Sequence, residues 1–528
     1  MNLKLIITFT KITFYMRRLL LLLLIGFAVS LTSCRNDLDF ETSNGGLRFS
    51  KDTVYLDTVF TNIGSSTYTL KVYNRSDKNI SIPTLRLSKG SASKYRLMVD
   101  GMAGQEFENI EMLAKDSMYI FVAVTADVAA ANPTDFLYTD QILFGDGINQ
   151  QKVELVTLIQ DAYFIYPGRI QNPDESYTYD SLNLGMDNEG NPITIRGRFL
   201  EDNNPTNGNE LIWNNSKPYV VYGYAAVPPN ETLEVQAGAR IHFHAESGLI
   251  VANNASLNVE GTLQNQVIFE GDRLEPDFAE VPGQWGTIWL TQGSTNNQIS
   301  NLTIKNATVG LLVTGNDGTS TPTLDINNTQ IYNCSNVGLL ARTGNIDGRN
   351  MIINNCGQTS LACTIGGSYD FTHCTFANYW SSPSQTCLIL DDYYETSTEV
   401  VTEILEKADF KNCIFYGSSN LSIRLTKKSD DNNYNYSFKN CLIKFIDSNN
   451  LINNELYNFP NNSNYIDCIY SLNYNSNLPR FENPNNNKFN ILLNSSVIGL
   501  GIYYPYASKD ILNFDRPSNP DLGAYQLQ

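Results

Sequence analysis

From Leu47 to about Ile165, apolar and polar residues alternate in short runs. Tyr68–Tyr73, Thr84–Leu87, Met118–Val124 and Lys152–Leu158 each follow period two. Turn residues divide them at Asn74–Asn79, Asp100–Gly101 and Gly145–Gly147. About eight short strands at this spacing predict an antiparallel β-sandwich over residues 47–165. No cysteine lies in it, so no disulfide joins its sheets. Residues 166–217 are polar, with Asn-Pro at 172–173, 191–192 and 204–205, and read as a linker or insertion.

From residue 218 to 528 the short strands continue, but with a longer period. Cys413, Cys441 and Cys468 are 28 and 27 residues apart, and Cys334 to Cys356 is 22. Their contexts repeat as Tyr-Asn-Cys, Asn-Asn-Cys, Thr-His-Cys and twice Lys-Asn-Cys. Self-similarity of this length means stacked supersecondary units. No helical period is sustained, so each unit is a coil of strands and the whole a right-handed parallel β-helix. Roughly nine or ten rungs at the strand spacing give a rod on the order of 45 Å. Ile241, Phe243, Val267, Phe269, Ile304, Leu311 and Val313 alternate into the bore. Residues 431–490 hold 20 asparagines in 60, which suits left-handed turns and stacked amides. Five cysteines at one place in the repeat predict an inward thiol ladder; adjacent rungs are also close enough for disulfides.

Composition sharpens the picture. The chain has 528 residues, 42% hydrophobic and 17% charged, which excludes a disordered chain and allows two to four domains. A net charge of −18 argues against nucleic acid as a partner. Arg17-Arg18, an apolar run from Leu19 to Leu31, and Ser33-Cys34 describe a secretory leader over residues 1–33. Leu31-Thr32-Ser33-Cys34 resembles the bacterial lipobox, which implies that Cys34 is the lipid-attachment site and the mature N-terminus. Met16 heads a well-proportioned leader by itself and is an alternative start. Loss of the leader's four basic residues takes the net charge from −18 to −22. Several acyl chains then hold the protein stably to a membrane. Residues 34–46 form a linker whose acidic run, Asp37-Leu38-Asp39-Phe40-Glu41, reads equally as a solvated tether or as similar to the surface-export signals of Bacteroidetes lipoproteins. The expected location is the outer membrane, facing the periplasm or the cell surface.

Two further resemblances concern the body of the chain. The first domain is similar to the immunoglobulin-like modules of the Hydin type, on pattern more than on any diagnostic residue. The second resembles the right-handed β-helix lipoproteins of Bacteroides and its relatives, with a pectate-lyase-like solenoid. The residues that carry this are Tyr219–Tyr224, Gly238–His244, Ser247–Val251, Pro282–Trp289 and the ending Pro520-Asp-Leu-Gly-Ala-Tyr525. That ending looks like a terminal cap, so residues 480–528 are expected to close the last rung and 171–224 the first.

Candidate chemistry is sparse. His242 and His244 alternate with Ile241 and Phe243, so both imidazoles point away from the bore. Asp272, Arg273 and Glu275 belong to a loop expected near Trp285, whose ring offers a stacking surface for sugars, as do Tyr222, Tyr224 and Trp380. An acid–base role for this patch stands beside the plainer reading of polar-face residues. Zinc is not expected, because there is no CxxC pair and only three histidines; no cofactor is implied. Polygalacturonases carry Asn-x-Asp, Asp-Asp, Gly-His-Gly and Arg-x-Lys. This chain has Asn345-Ile346-Asp347 and Asp391-Asp392 but neither of the other two. Adjacent residues on a strand face opposite ways, so Asp391 and Asp392 do not form a catalytic pair. The expectation is a non-catalytic module binding a glycan or a protein partner, with a polysaccharide lyase or hydrolase, or a purely structural role, as alternatives.

Overall fold

The computed structural model describes residues 39–61, 63–125, 135–186, 189–382, 384–396, 398–429, 433–447, 452 and 454–528. The leader and Cys34 lie outside the described residues. The chain is all-β: the described residues hold strands and short 3-10 turns but no α-helix. It divides into two compact units, one made chiefly of residues up to 157 and the other of residues from 158 on.

The first unit is built of two sheets, antiparallel except where Glu41–Thr42 pairs in parallel with Ile80–Ser81 at one edge. One includes Ile80–Leu87, Glu106–Met112, Asp135–Phe144 and Gln151–Gln160; the other includes Tyr68–Tyr73, Tyr95–Val99 and Ser117–Val124. Period two does the folding. In Tyr95–Val99 every second residue is buried, and Leu70, Val72, Ile120 and Val122 are fully so. The two sheets meet through these faces: Phe49 lies 4.8 Å from Phe144, and the Tyr95 hydroxyl donates to Thr157 Oγ1 at 2.9 Å.

The second unit is a solenoid of parallel strands. The chain visits three sheets in turn, of 11, 10 and 10 strands, and each strand pairs with its counterpart one coil later. Like residues therefore stack. Ile241, Phe269, Ile304, Ile331, Ile353, Phe376, Phe415 and Ile443 form one inward column of the first sheet. Phe371, Phe410 and Phe438 stack in the third sheet, with centroids 5.7 and 4.9 Å apart. Gly348 precedes them in that column because a Cβ there would come within 2.4 Å of the Phe371 ring.

Asparagines hold corners of the coils, although of the 20 between residues 431 and 490 only Asn440 is among them. Asn301, Asn328, Asn350, His373, Asn412, Asn440 and Asp467 occupy one corner of seven coils, all left-handed, with φ between 47° and 55°. Asn tolerates this region, and its amide bonds the next coil: Asn350 Nδ2 donates to Asn328 Oδ1 at 3.0 Å. A second corner uses Asn306, Asn333 and Asn355, where Asn355 Nδ2 donates to Asn333 Oδ1 at 2.7 Å.

Three expectations change. Residues 166–217 are not a linker: Pro192–Phe199 and Ile212–Trp213 pair in parallel with the next coil, as Tyr163–Ile165 does just before them, and so supply the first parallel strands of the three sheets. They read as polar because only a few side chains, among them Leu200, Leu211 and Trp213, turn inward. Six of the eight described cysteines form two stacks, not one. Cys334 and Cys356 pair across one corner, and Cys374, Cys413, Cys441 and Cys468 follow the left-handed residue of another; all are free thiols. X-Asn-Cys arises wherever a left-handed Asn precedes an inward residue, so two corners shared one signature. Finally, the C-terminal segment lies along the flank of the solenoid. Phe481, Phe489, Val497, Ile511 and Leu522 pack on Ile352, Ala377, Ile414 and Leu442 of the first sheet's outer face. The last coils are filled instead by Phe445, Tyr457, Phe459, Tyr465 and Tyr470, whose rings contact one another at 4.5–6.5 Å.

Candidate functional site

The strand Arg240–Phe243 turns Ile241 and Phe243 into the core and His242 outward, as alternation requires. His242 is nevertheless only 3% exposed, which corrects its reading as a surface residue. Its Nδ1 lies 3.3 Å from the Gly271 carbonyl and 3.7 Å from Glu270. Burial lowers its pKa and favours the neutral ring. Glu270 is itself bound to Lys305 at 2.7 Å, so no poised acid–base pair results.

His244, half-exposed, is better placed. Its Nδ1 sits 2.7 Å from Asp272 Oδ2, and its ring stacks on Tyr222 at 4.2 Å. Burial, aided by the Asp272 charge, pushes the Tyr222 hydroxyl up to about 12. Arg273 and Glu275 pair with each other at 3.1 Å, and the guanidinium lies 3.7 Å over the Phe278 ring. Trp285 departs furthest from expectation. It is 1% exposed, stacked on Phe243 at 4.4 Å, with Nε1 donating to the Lys305 carbonyl at 2.9 Å. It offers sugars no surface. Tyr224 is also buried, whereas Tyr222 and Trp380 are half-buried.

Tyr222 leads to a feature the sequence did not reveal. It lines a cavity of about 1010 Å³ together with Tyr166, Arg169, Tyr179, Arg196 and Asn207. Tyr166 is 60% exposed, and the Arg196 guanidinium lies 3.6 Å over Tyr179. Arg198 and the buried Glu210 form a two-pronged ion pair at 2.7 and 2.6 Å that fixes the rear wall. These residues fall in the segment expected to be a linker; its Tyr-Thr-Tyr at 177–179 and Arg-Gly-Arg at 196–198 were the available signal. The lining can hold hydroxyl and carboxylate groups against aromatic faces.

Register also assembles a column of four aspartates on the outward face of the third sheet: Asp325, Asp347, Asp370 and Asp409 stand on successive coils. Spacings of 22 to 39 residues hid it from a reading of local motifs. Arg349 bridges Asp325 and Asp347, while Lys407 and Lys411 both reach Asp370, Lys411 at 2.7 Å. Burial, with Asp325 and Asp370 nearby, raises the Asp347 pKa against the pull of Arg349. Asp391, at the end of its strand, and Asp392, just beyond it, have separate partners. Asp391 accepts from Ile365 N at 2.9 Å, and burial pushes its carboxyl up to about 6. Asp392, fully buried, accepts from the backbone of Lys428 and Ser429 and from the Ser429 hydroxyl. Among the described residues no group of His, Cys, Asp and Glu could hold a metal ion.

No family model and no curated protein matches the sequence. Solved structures that match include the catalytic unit of a GH87 α-1,3-glucanase from Streptomyces thermodiastaticus, at 11% identity and TM-score 0.27 over 71% of this chain and 84% of that one. A family 123 glycoside hydrolase from Clostridium perfringens matches at 7% identity and TM-score 0.17, over 25% and 29% of the two chains. The VesB protease of Vibrio cholerae matches at 12% and 0.16, over 22% and 31%. The chain thus spans less than a third of the length of the last two. These likenesses carry no argument about activity; the architecture rests on the strand pairings themselves.

Proposed function

We propose that this is a lipid-anchored envelope protein whose solenoid is a non-catalytic module binding a glycan or a protein partner. On this reading Cys34 carries the lipid, the protein stands on the outer membrane, and residues from Leu47 form an immunoglobulin-like spacer. The solenoid is then a right-handed, pectate-lyase-like β-helix of the kind found in Bacteroidetes lipoproteins. The observation that supports binding is the 1010 Å³ cavity, where three tyrosines meet Arg169 and the cation-stacked Arg196 beside the His244–Asp272 pair. Aromatic faces with a few fixed polar groups recognise sugars without transforming them. The two carboxylates on the cavity's lining are held by neighbours, Asp180 accepting from Gly168 N at 3.0 Å and Glu201 from Asn204 Nδ2 at 2.8 Å.

The alternative, a polysaccharide lyase or hydrolase, has the aspartate column in its favour. Carboxylates one coil apart, at roughly the 4.8 Å strand spacing, approach the separation used in retaining glycoside hydrolysis. Its ion pairs weigh against it, because a general acid must hold a proton. One experiment separates the two. Residues 35–528 are mixed with a panel of host and plant polysaccharides, and protein and polymer are followed by size-exclusion chromatography. Co-elution at unchanged polymer length, lost in Tyr166→Ala, is the expected result. Polymer shortening abolished in Asp347→Asn would establish the enzyme instead.

A further inference from the structure

The outward columns of the three sheets differ in a way that calls for an explanation. In the third sheet the column is polar throughout: Glu234, Asn258, Gln298, Asp325, Asp347, Asp370 and Asp409. In the first sheet its second half is largely apolar, and residues 481–524 cover it. In the second sheet it is apolar over eight coils, as Phe199, Ala226, Ile250, Trp289, Leu312, Leu340, Ala362 and Ile389 stand in register, before it ends on the exposed Arg424. The hairpin of Ser181–Met186 and Pro192–Phe199 covers its start, where Leu182 packs on Ala226 and Ile250. Beyond it Trp289, Leu312 and Leu340 are half-buried, and no cluster of described residues packs over the two leucines. A solvent-facing sheet surface is ordinarily polar, so an uncovered apolar column marks a binding face.

At the hairpin this column is the floor of a groove of about 680 Å³. Phe199, 46% exposed, and Trp289 supply aromatic faces; Trp289 Nε1 donates to Thr314 Oγ1 at 2.7 Å, which fixes the ring. Along one side Asn253, Gln292, Asn316 and Arg342 succeed one another on consecutive coils, and Glu403 closes the far end. The groove lies on a sheet face, where backbone groups are already paired, so it gives an extended peptide no strand edge to join. Amides and a guanidinium repeating at the coil step of roughly 4.8 Å beside an aromatic floor suit a chain of pyranose rings instead. Charge narrows the class. The lining carries one cation, Arg342, and one anion, Glu403, on a chain of net charge −18, which repels polyanions.

We propose that this groove binds a neutral, linear polysaccharide laid along the solenoid axis, with Trp289 as its stacking platform. The proposal rests on the reading of the solenoid as a binding module, and adds to it a second site with its ligand class. The test is affinity electrophoresis of residues 35–528, which keep every described residue, in gels of neutral glucan, mannan and galactan and of polygalacturonate. Trp289→Ala, Gln292→Ala and Tyr166→Ala are run beside the wild type, with melting curves to confirm folding. Retardation by a neutral polymer, weakened about tenfold by Trp289→Ala and severalfold by Gln292→Ala, is the expected result. Retardation by polygalacturonate alone, or equal retardation of a folded Trp289→Ala variant, would overturn the groove. If Tyr166→Ala alone loses binding, the module reading survives and the groove does not; if no polymer retards any form, both readings of glycan binding fall.

Discussion

Individual side chains in the solenoid take their meaning from the coil above and the coil below. Asp391 shows this in its titration. Its carboxyl ordinarily titrates at 3.8, but in the fold burial pushes it up to about 6. Between those values the folded chain binds the proton that the unfolded chain has released, so this group's contribution to stability falls as pH rises from about 4 to 6. Asp391→Asn keeps an acceptor for Ile365 N and removes the ionisation. The variant's urea midpoint, compared with wild type across that window, should gain steadily toward pH 6; parallel curves would refute the assignment. The same dependence explains what a residue-by-residue reading of the sequence could not see. Alternation correctly turned His242 outward, yet could not report that it is covered there. Trp285 lies between strands, outside any periodic run, so nothing in the pattern showed it entering the core.

At the scale of the element, the corner is the unit that repeats. The left-handed Asn does two things at once: it turns the chain, and its amide ties down a neighbour. Asn412, with φ 54°, donates to the Ile502 carbonyl at 2.7 Å and accepts from Ile502 N at 3.0 Å, so it also secures the C-terminal segment. Asn412→Ala should cost about 2–4 kcal/mol, from the left-handed backbone and the buried bonds together. Asn412→Gly, which keeps the turn, should cost less. Equal losses in chemical denaturation would mean that the backbone preference plays no part. The stacked strands were legible because each inward column repeats the same period. The aspartate column and the groove were not, because they are made by register, and register is invisible until every loop length is known.

For the solenoid as a whole, the direction in which the C-terminal segment runs decides what it protects. From the sequence this segment is expected to be an end cap. Here it shields a flank. Removal of residues 511–528 would uncover Ile352, Ala377 and Ile414 while leaving the coils themselves paired. The truncated chain should therefore keep its β-sheet circular dichroism but associate as concentration rises, as light scattering would show; a stable monomer would mean that the flank needs no cover. The thiol stacks carry a further consequence. All eight described cysteines fall between residues 334 and 468, in the later coils. A coil can pair only with one already wound, so in a chain that emerges N-terminus first these coils are the last to close. In the oxidising envelope proposed above, each thiol is open to a disulfide carrier until its own coil is laid down. Winding is thus a race in which every completed turn seals a sulfur away, and a turn that lags is locked out of place by a bond that the finished structure does not contain.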